Sequence, residues 1–137
     1  MKKFQASIEH YLEALNIKDY NFQNGENYLF YGFGAKNPAI SNLDCGIGIY
    51  YEKPEFLKFT ISLRKVKPTL KNYQLISKFN TEYPWYVVTI SDGILILTHS
   101  CYLVKNNDGF IDLLDFILNK IYGSDNAVIK NFVNSLE

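Results

Sequence analysis

Residues 85–103 read WYVVTISDGILILTHSCYL, and this stretch decides the fold. Two apolar runs flank Asp92-Gly93, a dipeptide that tolerates the left-handed backbone of a type I′ hairpin turn. A two-residue turn also sets the register. Ser91 opposes Ile94, Ile90 opposes Leu95, and Val88 opposes Leu97. Side chains alternate along a strand, so one face carries Tyr86, Val88, Ile90, Leu95 and Leu97, all apolar. The other carries Val87, Thr89, Ser91, Ile94, Ile96 and Thr98, a mixed set. The hairpin therefore belongs to a sheet with one core face and one half-covered face.

The flanking segments supply helices. Downstream, Phe110, Leu113, Leu114, Ile117, Leu118 and Ile121 recur at intervals of three and four, the stripe of an amphipathic helix. Gly123-Ser124 interrupts it. Ser124 or Asp125 is then a capping residue for a continuation bearing Val128, Ile129, Phe132, Val133 and Leu136. Upstream, Leu70, Tyr73, Ile76 and Phe79 mark another helix, with Pro68 suited to its first turn and Asn80 to its left-handed end.

Earlier in the chain the period is two. Residues 56–63 (FLKFTISL) place Leu57, Phe59, Ile61 and Leu63 on one side and Lys58, Thr60 and Ser62 on the other. Residues 45–51 (CGIGIYY) alternate in the same way before a tight turn at 52–54, and residues 27–33 (NYLFYGF) form an aromatic strand. Residues 34–44 hold Gly, Pro and Asn and read as a loop. Phe4, Ile8, Tyr11, Leu12 and Leu15 form the stripe of a first helix that Asn16 ends, and residues 19–27 read as a polar turn. The expected order is α-β-β-β-α-β-β-α, with the last helix divisible at Gly123. This is an α+β fold, an antiparallel five-stranded sheet with helices on one face, in a single domain over residues 1–137.

Composition narrows the work such a domain can do. The chain has 137 residues, enough for one core. Hydrophobic residues make up 47% and charged residues 20%, which excludes disorder over the whole chain. Fourteen basic residues balance fourteen acidic ones, so no field gathers nucleic acid. Arg64 is the only arginine, and the bidentate fork that reads guanines and grips phosphates is otherwise missing. Nucleic acid is not an expected partner. Glu9, His10 and Glu13 interrupt any signal-peptide core behind the N-terminal lysines. No apolar run approaches the ~20 residues that span a bilayer. With Cys45 and Cys101 its only cysteines and no C-x-x-C, the chain reads as cytoplasmic, with two reduced thiols and no membrane partner.

No catalytic, metal or cofactor site is expected. His99 and Cys101 share a strand face with Leu95 and Leu97, which makes them core residues rather than a nucleophile and its base. Cys45 lacks the spacing to join them as a metal ligand. Asp112 and Asp115 read as the solvated face of their helix. Gly32-Phe33-Gly34 and Gly46-Ile47-Gly48 do not continue as phosphate-binding loops and mark close backbone approach within strands. Arg64, Lys65, Lys67 and Lys71 form a small basic cluster, read as a solvated loop.

What remains is aromatic surface. Aromatics are 16% of the chain, with eleven Tyr and ten Phe. Alternation puts Tyr28 and Phe30 on one face and Leu29, Tyr31 and Phe33 on the other, while Tyr50 and Phe56 fall opposite the core sets of their own strands. One helical layer cannot cover both faces. Tyr28, Phe30, Tyr50 and Phe56 are therefore expected to contribute to a partner-binding surface, covered by a second subunit or a client peptide.

Residues 75–118 (LISKFNTEYPWYVVTISDGILILTHSCYLVKNNDGFIDLLDFIL) contain a helix ending in Phe-Asn, a polar turn, a strand, Asp-Gly, a second strand and an amphipathic closing helix. With the N-terminal helix and the element order, this resembles the YbjN-like proteins and the type III secretion chaperones that share their fold. The loop at 34–44 departs from that pattern. The resemblance implies a small bacterial, non-enzymatic adaptor, chaperone-like or regulatory, that forms a homodimer and holds an extended segment of a partner protein. It brings no catalytic residue. The alternative is a small inhibitor or immunity protein that blocks one target enzyme. Many such proteins are strongly charged, and the zero net charge argues against that reading. A small-molecule domain would need a deep, polar-rimmed pocket.

Overall fold

The computed structural model of the protein describes residues 2–35, 43–52, 54–103 and 109–137. The elements are α1 (Gln5–Ala14), β1 (Tyr20–Asn24), β2 (Tyr28–Ala35), β3 (Leu43–Tyr50), β4 (Phe56–Lys65), α2 (Leu70–Glu82), β5 (Val87–Ser91), β6 (Ile94–Tyr102), α3 (Phe110–Tyr122) and α4 (Asn126–Ser135). Residues 36–42 of the expected loop, Lys53 of the expected turn and residues 104–108 after β6 lie outside the described residues.

The strands form one antiparallel sheet in the order β1-β2-β3-β4-β6-β5. It has six strands, not the five expected from the sequence, and four helices accompany it. The additional strand is β1, which lies in the segment that reads as a polar turn. Its Tyr20 and Phe22 rings lean on Tyr31 of β2, with centroids 5.5 and 4.9 Å away. That contact gives a largely polar segment the apolar anchor of a strand.

The β5–β6 hairpin has the expected register, with Ser91 opposite Ile94 and Val88 opposite Leu97. Asp92 and Gly93 adopt φ 49° and 75°, the left-handed pair of a type I′ turn. Leu29, Tyr31, Ile47, Ile49, Leu57, Phe59, Ile61, Val88, Leu95 and Leu97 point to one face and are buried there. They form a single cluster with Ile8 and Leu12 of α1, Ile76 and Phe79 of α2, Ile117 and Ile121 of α3, and Ile129 and Val133 of α4.

Two helix ends differ from the local reading. Thr69, not Pro68, opens α2, its hydroxyl accepting from the Asn72 amide at 3.2 Å. Asn80 does not stop the helix, which runs on to Glu82. Its side-chain amide instead accepts from the Val88 N–H at 2.8 Å and donates to the Val88 carbonyl at 3.0 Å. Asn16 does take the left-handed conformation after α1, at φ 60°.

Candidate interaction surface

The alternation that buries Leu29 and Tyr31 turns Tyr28, Phe30, Gly32 and Gly34 to the opposite face, which no described helix covers. The register carries this across the sheet. Tyr28 pairs with Tyr50, Tyr50 with Phe56, and Phe56 with Tyr102. The four aromatic residues make one row over β2, β3, β4 and β6. Tyr50 and Phe56 stack 4.6 Å apart at 12°, and Tyr28 lies 6.4 Å from Tyr50 at 30°. The ends of the row are the most open, with Tyr28 at 37% and Tyr102 at 71% exposure.

One row inward, the glycines explain themselves. A Cβ on Gly46 would stand 2.9 Å from the Phe30 ring and 2.8 Å from Thr60 Oγ1, and one on Gly48 would stand 3.0 Å from the Tyr50 ring. Gly46 and Gly48 are floors against which the Phe30 and Tyr50 rings rest. Gly46→Val should therefore expel the Phe30 ring and lower stability by about 1–3 kcal/mol, and Phe30→Ala should recover part of that loss. Gly34→Ala should be close to neutral, because no described atom lies within 4 Å of its Cβ. Urea denaturation of Gly46→Val, Gly46→Val/Phe30→Ala and Gly34→Ala checks this, and equal losses at Gly46 and Gly34 would count against it.

Beside Phe30, the residues Gly32, Gly34, Asp44, Gly46, Thr60 and Ser62 border an open concavity of about 750 Å³. Lys58 and Asp44 bring charge to the face, in the rows of Phe30 and Gly34, and Lys65 does so beside Ile94. At the far corner Val87 is 52% exposed, with Ile94 and Ile96 half-buried. Rings, hydroxyls and flat backbone make up this surface.

Tyr28, Phe30, Tyr50 and Phe56, the residues expected from alternation alone, all lie on this face, three of them in one row. Tyr102 joins them, outside that expectation. The signal for it is the same alternation, which runs from Ile94 through Ile96, Thr98 and Ser100 to Tyr102.

The remaining chemically capable residues are placed as follows. His99 Nδ1 lies 2.9 Å from the Trp85 carbonyl. Burial, with the Asp44 charge adding to it, pushes the Cys45 thiol up to about 12, and burial raises Cys101 as well. Both shifts disfavour the thiolate a nucleophile requires. Among the described residues no three His, Cys, Asp or Glu side chains group to hold a metal. Asp115 accepts from Tyr11 at 3.2 Å, and Asp112 is exposed. Two of the four residues of the basic cluster have side-chain partners. Arg64 donates to the Val133 carbonyl at 3.0 Å, at the C-terminal end of α4, and Lys71 pairs with Glu137 at 3.0 Å.

The thiols give a pH prediction. Folding raises the Cys45 pKa from 9.0 to about 12 and that of Tyr51, through burial and then Glu55, from 10.0 to about 12. Below pH 9 both the folded and unfolded chains hold these protons, so the stabilisation is complete. Above it the unfolded chain loses protons that the folded chain keeps, and stability falls as pH rises toward about 12. Melting temperature should be level from about pH 7 to 8.5 and then drop. Cys45→Val should shallow that drop, and an unchanged alkaline limb would contradict the assignment.

Among the described residues no helix is long and apolar enough to cross a membrane. No protein-family model matches the chain, and no curated protein is significantly similar to it in sequence.

Proposed function

We propose that this chain is a non-enzymatic, cytoplasmic protein-binding adaptor, chaperone-like or regulatory, that holds an extended segment of a partner protein on the open sheet face and works as a homodimer. The observation that carries the reading is the aromatic row Tyr28-Tyr50-Phe56-Tyr102 on a face that no described helix covers. Tyrosine and phenylalanine supply large, rigid contact area at small entropic cost, and interfaces are enriched in them. The glycines beneath Phe30 and Tyr50 keep the face low, so that an extended chain can lie against the rings. The resemblance to the YbjN-like and secretion-chaperone fold supports the same reading.

The test starts with affinity capture from the native host, followed by calorimetric titration of the captured protein against wild type and Tyr50→Ser/Phe56→Ser. The double variant should bind at least about tenfold more weakly, as loss of central aromatic anchors does. Its far-UV spectrum and urea midpoint should stay near those of wild type. Equal binding by the variant, or no partner at all, sinks the reading. A captured enzyme that loses activity on binding would instead establish the inhibitor.

A further inference from the structure

The two edges of the sheet are built differently. On β5, the Asn80 amide exchanges two hydrogen bonds with Val88, at 2.8 and 3.0 Å, in the place a neighbouring strand would occupy. That edge is closed to further pairing. On β1, every residue from Asn21 to Asn24 is exposed, and YNFQN contains no charge and no proline to repel another strand.

The direction of the free groups follows from the hairpin. The Gly25 N–H donates to the Tyr28 carbonyl at 3.0 Å, so that pair is a hydrogen-bonded one. Alternation along an antiparallel ladder then bonds Gln23 with Phe30 and Asn21 with Gly32. Tyr20, Phe22 and Asn24 are left with their N–H and C=O groups pointing away from β2.

We infer that β1 pairs antiparallel with β1 of a second copy of this chain, centred on Phe22, to join the two sheets into one. The inference rests on the homodimer of the adaptor reading and leaves the aromatic face free for the partner segment. Outward groups must face outward groups, so the register can move only in steps that keep this parity. Centred on Phe22, the pairing sets Phe22 opposite Phe22 and Tyr20 opposite Asn24 in both directions, engaging all three outward residues of each copy. A step to either side leaves one outward residue of each copy unpaired.

Extended two residues past each end of β1, the same central register sets Lys18 of each copy towards Glu26 of the other, in the β1–β2 turn, at both ends of the two-fold interface. A shifted register would set Lys18 against Asn24 or Tyr28. Charge and hydrogen bonding thus select one alignment, and it is self-complementary, as a two-fold contact must be. Phe22 and Tyr20, resting on Tyr31, hold the edge in place for it.

The contact is short, so association should depend on concentration. In sedimentation equilibrium of the full chain, the weight-average mass should rise from 15.9 kDa toward twice that value. Lys18→Glu should weaken the dimer about tenfold by turning two attractive cross-strand pairs repulsive. Lys18→Glu/Glu26→Lys should restore it. Asn24→Pro removes an outward N–H and should abolish association. Should that variant fold poorly, the charge-reversal cycle still decides. A mass that stays at one chain overturns the inference, as does a dimer indifferent to Lys18→Glu. Tyr50→Ser/Phe56→Ser separates the two readings. It should leave the dimer intact while losing the partner segment; dissociation by this variant places the dimer on the aromatic face and overturns the β1 assignment. An intact dimer with undiminished partner binding rejects the open-face reading alone.

Discussion

Asn72→Leu should lower the free energy of unfolding by about 3 kcal/mol, although it replaces a polar residue by an apolar one in the interior. Asn72 is fully buried, and it is the one buried polar side chain among the described residues. Its amide nitrogen donates to the carbonyls of Lys67 at 2.7 Å and Glu137 at 2.9 Å, and its oxygen accepts the Glu137 N–H at 3.0 Å. The side chain acts as a short strand between the start of α2 and the last residue of the chain. Leucine removes all three bonds; the Lys67 carbonyl keeps the Thr69 N–H at 2.9 Å and the Glu137 carbonyl keeps the Lys67 N–H at 3.1 Å, but the Glu137 N–H loses its acceptor, and at about 0.5–1.5 kcal/mol for each lost bond the sum is about 3 kcal/mol.

Asn72→Asp should be worse at neutral pH, because a carboxylate there faces two carbonyl oxygens and cannot donate. Burial and those carbonyls raise the pKa of the new carboxyl above its unfolded value. The variant's deficit should therefore shrink on acidification, since stability from a raised pKa is complete below the unfolded value and lost as pH climbs through the folded one. Urea denaturation at about pH 4 and 7 reads both effects. A deficit that does not change with pH would place the damage elsewhere.

What the sequence reveals, and what it hides, divides along the distance over which each feature is determined. The β5–β6 hairpin is legible because Asp92-Gly93 fixes turn and register within the segment itself. The aromatic face is half legible. Alternation sends Tyr28, Phe30, Tyr50 and Phe56 away from the core, but their alignment in one row, and the addition of Tyr102, depend on the pairing of four strands. Other features depend on partners remote in the chain. Asn80 has the composition of a helix stop, and its amide is taken by the edge of β5. Arg64 stands in a basic cluster, and the carbonyl it caps belongs to α4. β1 is hidden for the same reason: YNFQN has two apolar residues in five, and what makes it a strand is Tyr31 on its neighbour.

That dependence makes Tyr31 the position where the largest loss is expected. Tyr31→Ala should cost about 3–5 kcal/mol, the range for emptying a large aromatic site in a core. Tyr31 is fully buried, and its ring supports both Tyr20 and Phe22. Its hydroxyl donates to the Glu9 carboxylate of α1 at 3.3 Å. Removing the ring withdraws the aromatic support that Tyr20 and Phe22 have in β2, so the edge strand should detach before the rest of the sheet unfolds. Tyr31→Phe keeps the ring and loses one hydrogen bond, at a cost of about 0.5–1.5 kcal/mol. The two variants should therefore differ in kind as well as in size. Hydrogen exchange should show the β1–β2 ladder amides of Gln23 and Asn21 exposed in Tyr31→Ala and protected in Tyr31→Phe, with the β5–β6 amides protected in both. Association through β1 should be lost only with the alanine. If Tyr31→Ala keeps those β1 amides protected, the strand is held by its backbone pairing alone, and the account of why a polar pentapeptide becomes a sheet edge fails with it.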